Sequence, residues 1–166
     1  MRTGFVVLVL AMVAPAVAFA NGPANERESV GAVLDQMHEA AAAADADRYF
    51  DVFAKDAVYI GTDAGERWDM TAFRAYVAPY FDRGQGWTYR PSDRHVTIGG
   101  DGKTAWFDEL LENDKYGTAR SSGVLVRNDG GWRIEQYRLG FPIPNELAPE
   151  ITERIRKWSS SRQPDS

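Results

Sequence analysis

Cysteine is absent from all 166 residues. That excludes disulfides and thiolate chemistry and leaves stability to packing alone. Histidine is scarce: His38 and His95 stand by themselves, with no third ligand at zinc-like spacing, so no metal centre is expected. The chain lacks a G-x-G-x-x-G run and a Walker pattern. Asp101-Gly102 and Asp129-Gly130-Gly131 therefore read as turn chemistry rather than phosphate loops, and no cofactor is expected. A Ser-His-Asp set can be drawn with Ser121 or Ser122, but no nucleophile-elbow motif accompanies it. Basic excess is also missing. Lys and Arg number 19 against 24 Asp and Glu, for a formal charge of −5, which argues against a nucleic-acid partner.

Long apolar runs are confined to the first twenty residues. Arg2 gives a minimal positive start, Phe5 to Val13 is apolar, and Ala18-Phe19-Ala20 has the small-x-small form of a signal-peptidase site. The run contains Pro15 and barely reaches the roughly 20 residues that span a bilayer. A cleaved signal peptide over residues 1–20, with cleavage before Asn21, is the reading adopted. It places the protein in the periplasm or outside the cell, with no membrane contact after cleavage. The remaining 146 residues carry 18 basic and 24 acidic side chains once Arg2 is removed, a charge of −6. That length suits one domain, and the chain's 20 aromatic residues can supply its core.

Residues 21–28 are polar and are expected to be a flexible N-terminus. From Ser29, the apolar positions Val30, Val33, Leu34, Met37 and Ala41 recur at helical spacing. Asp47 reads as the cap of a short second helix, and Ala57 to Gly61 as a strand. Thr62 to Arg67 reads as a loop. A third helix carries Phe73, Tyr76, Val77 and Tyr80, capped by Asp69 or Thr71, with Pro79 near its last turn. Residues 86–145 then hold four aromatic and β-branched runs separated by turn signals, an antiparallel meander. In the second run, Ala105, Phe107, Glu109 and Leu111 share one face, and Trp106 and Asp108 the other. In the last run Trp132 and Ile134 want the inside, and so do Tyr137 and Leu139, which demands a bulge between the pairs. Asn145 begins a last helix, the domain closes at 158, and residues 159–166 read as a disordered tail.

This order resembles the nuclear transport factor 2-like superfamily, and more closely its SnoaL-like branch. The resemblance is carried by Asp47-Arg48-Tyr49-Phe50, Phe53 to Val58, Gly61-Thr62-Asp63, Glu66-Arg67-Trp68 and Gly86-Trp87-Thr88-Tyr89. It continues through Ala105 to Glu109, Gly123 to Arg127, Gly131 to Ile134 and Phe141 to Asn145. It implies a cone-shaped α+β fold, a curved antiparallel sheet wrapped around N-terminal helices with a cavity. Many relatives dimerise through the sheet, so a homodimer is implied. Ketosteroid isomerisation in this superfamily uses an Asp base, a Tyr and a protonated Asp. The overlay puts those positions near Gly61, Met37 and Val124, and none matches. The same overlay lines the cavity with Phe107, Glu109, Ser122, Val124, Tyr137, Leu139 and Phe141.

Glu109 and Arg120 are the foremost site candidates. With Asp114-Lys115 as the hairpin turn they face each other across two strands, as a ligand-orienting pair or a structural ion pair. Asp63 and Trp68, in the loop after the first strand, can contact a ligand, or cap a turn and pack on the third helix. Trp87, Tyr89 and Tyr137 can supply cavity wall or core. Two functions follow. The first is an exported protein that binds a small amphipathic molecule. The second is a cofactor-free isomerase, cyclase or dehydratase, with Asp63 or Glu109 as general base and Tyr137 or Arg120 stabilising the oxyanion.

Overall fold

A computed structural model describes residues 22–162, so the expected signal peptide over residues 1–20 and its expected cleavage site lie outside the described residues. The elements run α1 (Pro23–Ala42), α2 (Ala46–Asp51), β1 (Phe53–Ile60), β2 (Arg67–Asp69) and α3 (Met70–Phe81). They continue with β3 (Arg90–Ile98), β4 (Thr104–Asn113), β5 (Gly117–Asn128), β6 (Gly131–Gly140) and α4 (Ala148–Ser160). One curved six-stranded sheet in the order β2-β1-β6-β5-β4-β3 packs its concave face on α1 to α3. This is the expected α+β architecture, with β1 running parallel to β6 and every other pairing antiparallel.

The first helix starts six residues before the expected Ser29. Residues 23–28, read from sequence as flexible, belong to α1. Proline at the first helical position gives up no hydrogen bond. The anchor is long-range: buried Glu26 accepts from Arg127 Nη1 at 2.7 Å and from the Trp132 indole N–H at 2.9 Å. The N-cap of α2 is Asp45 rather than Asp47, its side chain accepting from the Arg48 amide. At the end of the expected loop, Arg67–Asp69 forms the edge strand β2 against β1, and Asp69 then caps α3.

The bulge in β6 falls at Glu135. Val124 pairs with Gln136 while Leu125 pairs with Ile134, so Trp132, Ile134, Tyr137 and Leu139 are all buried. The concave faces of β4 and β5 carry Ala105, Phe107, Glu109 and Leu111, and Ala119, Ser121 and Leu125, all buried. The last helix starts at Ala148, not Asn145, and runs through Ser159 and Ser160, beyond the expected domain end at 158. None of its side chains is buried.

Candidate functional site

Two regions of the concave face hold the chemistry. The first is an open cavity of about 480 Å³ between α3, the β1–β2 end and the β4–β5 hairpin. Its wall begins with the α3 spacing. Phe73, Tyr76 and Tyr80 recur at three and four residues, so one helix stripe is entirely aromatic. β2 brings Trp68 over that stripe, 4.7 Å from Tyr76 and 5.7 Å from Phe73, ring on ring. From β1, Tyr59 stacks on Phe73 at 3.9 Å. Trp87 and Tyr89 close another side, half-buried, and Tyr116 and Phe141 stand at the rim. Burial, with repulsion from Tyr89 and the Glu66 carboxylate, pushes the Tyr59 phenol far up. Tyr76 is raised the same way, by burial, Tyr80 and Glu66. Glu66 itself fills the space that a side chain at Gly61 would take.

The second region is a closed polar cluster on Glu109, which is 0 % exposed. Its carboxylate meets three donors. His38 Nε2 from α1 lies at 2.8 Å and Ser121 Oγ from β5 at 2.9 Å from Oε1, and Arg94 Nε from β3 lies at 2.6 Å from Oε2. Arg94 reaches in through a bulge. Ser92 pairs with Leu110 and His95 with Asp108, so Asp93 and Arg94 together oppose Glu109. Asp93 takes a φ of 46° there. The guanidinium also holds Asp35 Oδ1 at 2.8 Å and the Gly31 carbonyl at 3.0 Å, while its buried Nη2 has no hydrogen-bond partner among the described residues. Burial alone would raise the Glu109 carboxyl. The hydrogen bonds and charges of His38 and Arg94 outweigh it and hold the group below its ordinary value. Burial likewise would lower Arg94, but Glu109 and Asp35 raise it. A shallow crevice of about 340 Å³ between α1 and residues 89–91 opens onto His38.

The sequence-derived site residues divide between these places. Trp68, Trp87 and Tyr89 line the cavity, with Leu139 and Phe141. Tyr137 lies behind Tyr59 at 5.2 Å, and Phe107 behind Tyr137 at 6.0 Å, so both are core beneath the cavity. Glu109 points inward but does not line it. Asp63 is exposed and its Oδ1 caps its own turn, accepting from the Gly65 amide at 2.8 Å.

Arg120, Ser122 and Val124 require correction. The β4–β5 loop has three residues, Asp114 to Tyr116, with Asn113 opposite Gly117. Gly117 sits at φ 68°, and the Asn113 side chain accepts from the Lys115 and Tyr116 amides. One residue more than a two-residue turn moves the register by one and exchanges the faces of β5. Glu109 therefore opposes Ser121 rather than Arg120, which pairs with Leu110 on the exposed convex face. Ser122 and Val124 share that face.

His38 and Arg94 were not selected from the sequence. His38 follows Leu34 by one helical repeat, a signal that it faces the sheet. Arg94 gave none, because its bulge overrides strand alternation. Among the described residues, no three His, Asp or Glu side chains converge as a metal site requires.

Residues 30–144 match the family profile described as a SnoaL-like domain. No curated protein matches the chain. Solved structures do. A candidate aromatic ring hydroxylase from Novosphingobium aromaticivorans is 22 % identical, with a TM-score of 0.63 over 74 % of this chain and 92 % of that one. A nuclear transport factor 2-like protein of unknown function from Pseudomonas putida is 16 % identical, TM-score 0.61, over 75 % and 91 %. A candidate dehydratase of the nuclear transport factor 2-like family from Streptomyces avermitilis is 16 % identical, TM-score 0.58, over 74 % and 99 %. At these identities the likeness is one of fold.

Proposed function

Because the chain belongs to the SnoaL-like domain family of nuclear transport factor 2-like folds, we propose that it binds a small amphipathic molecule in the aromatic cavity. One observation carries the reading: a preformed space of about 480 Å³ with nine aromatic residues among its fifteen lining residues. That size and lining suit a compact organic ligand rather than a macromolecule. The direct test is native mass spectrometry of protein purified from its own host, followed by a thermal-shift screen of amphipathic metabolites. A retained small molecule, or hits that vanish in Trp68→Ala, is the expected result. An empty cavity and a screen without hits would overturn it.

The reading includes export, supported by the leader-like residues 1–20. A periplasmic or secreted product whose N-terminal sequence begins at Asn21 is expected. It also includes a homodimer through the sheet, supported by Trp106, 49 % exposed on the convex face. Sedimentation equilibrium at micromolar concentration tests that.

A second reading, cofactor-free proton transfer, is favoured by the position of Glu66. Neither Asp63, turned to its own loop, nor Glu109, saturated by donors, is placed to take a substrate proton. The Glu66 carboxylate lies against Gly61, where the resemblance puts the isomerase base, and it faces the cavity. Exchange of α-protons of small ketones into deuterated water, lost in Glu66→Gln, is the expected signature.

A further inference from the structure

Two charged side chains line the cavity, and they are not equivalent. Lys115 has its ammonium 4.7 Å over the Tyr116 ring at the exposed hairpin tip. Glu66 is half-buried beside Tyr59, Trp68 and Tyr76. Its Oε2 accepts the Asp63 amide at 3.1 Å. Among the described residues no donor reaches its Oε1, and neither oxygen has a cationic partner. A half-buried carboxylate without a countercharge offers a cation an ionic partner, and the aromatic surface of Trp68 and Tyr76 in the same cavity offers it negative potential. The upward displacement of Tyr59 and Tyr76, caused first by burial and then in part by Glu66, registers the same potential. A cation satisfies both at once, by pairing with Oε1 and lying against the ring surface that Trp68 and Tyr76 leave open to the cavity.

Resting on the binding reading above, we propose that the ligand is an organic cation, a tertiary or quaternary ammonium group on an apolar body. The ammonium lies beside Glu66 among Tyr59, Trp68 and Tyr76. The apolar body extends along Trp87, Tyr89 and Leu139.

The test is titration of the full chain, read by its tryptophan fluorescence, with three probes that share a phenyl ring. Benzyltrimethylammonium is the cation, neopentylbenzene its uncharged isostere and benzoate the anion. The cation is expected to bind at least tenfold more tightly than the isostere, with a preference that weakens as salt rises. Glu66→Gln, which keeps the shape, is expected to erase the preference, bringing the two affinities within about twofold of each other. Arg120→Met, on the exposed convex face away from the cavity, should leave the preference in place. Equal affinity for cation and isostere would overturn the inference and leave the binding reading standing. Tightest binding of benzoate would overturn it in favour of an anion held by Lys115. Failure of all three probes to bind folded protein would overturn both. The probe comparison is made on the unaltered chain, so it stands even if Glu66→Gln does not fold.

Discussion

The cavity and the Glu109 cluster lie on one face of one sheet, yet they treat their carboxylates in opposite ways. Glu109 is sealed from water and its oxygens are taken by an imidazole, a guanidinium and a hydroxyl. Glu66 is half-open to an aromatic space and carries one oxygen that no donor among the described residues reaches. A saturated carboxylate has nothing left to offer a ligand and holds elements together instead: Glu109 ties α1, β3 and β5 to β4. An unsaturated one is available. Burial alone would have picked Glu109 as the functional acid, and the count of its partners reverses that choice.

The largest effect that separates the two regions is expected from Glu109→Ala. It leaves His38 and Ser121 without their buried acceptor and Arg94 with only the exposed Asp35 as counterion, and should cost about 3–5 kcal/mol in urea denaturation. At temperatures where the variant stays folded, the cavity's ligand preference should persist. Trp68→Ala should do the reverse. It removes a half-buried ring from the cavity wall and is expected to weaken ligand binding by about 2 kcal/mol, measured by fluorescence titration through Trp87. Its cost in stability should be smaller than that of Glu109→Ala.

Acid sharpens the contrast further. The Glu109 carboxyl titrates below its ordinary value of 4.5 in the folded protein, so the unfolded chain binds its proton first. Its contribution is therefore complete above pH about 4.5 and disappears as pH falls through the lower folded value. Urea midpoints measured from pH 3 to pH 7 should fall less steeply toward acid in Glu109→Gln than in the unaltered chain. Equal slopes would show that the cluster does not hold the carboxylate ionised. Ser121→Ala removes one neutral donor from the cluster and should cost about 1 kcal/mol. Arg120→Ala, on the exposed convex face, should change stability by no more than about 0.5 kcal/mol.

Where side-chain alternation runs unbroken, the sequence was readable. The inward set Ala105, Phe107, Glu109 and Leu111 follows from a period of two along β4. The conflict between Ile134 and Tyr137 announced a bulge, and Glu135 is its extra residue. Where a single residue is inserted without a competing apolar pattern, the reading failed. One more residue in the Asp114–Tyr116 loop turned Arg120 outward and Ser121 inward. One more in β3 turned Arg94 inward. Cavity membership was legible for Trp68, Trp87 and Tyr89, which sit in or beside the loops at the sheet's end. Phe107 and Tyr137 share the concave face but lie beneath other rings, and how deep a residue sits along a curved sheet leaves no mark in local pattern.

By itself, then, the amino-acid order determined the helical stripe of α1, the four-stranded meander, the inward direction of Glu109 and an aromatic-rich concave face. These depend on short-range periodicity and turn chemistry. Tertiary structure alone decided which partners Glu109 receives, that Glu26 pins the first helix, and that Glu66 rather than Asp63 faces the cavity. Those outcomes join residues up to 106 positions apart. They depend on register, bulges and sheet curvature, which are set only when distant segments pack against one another.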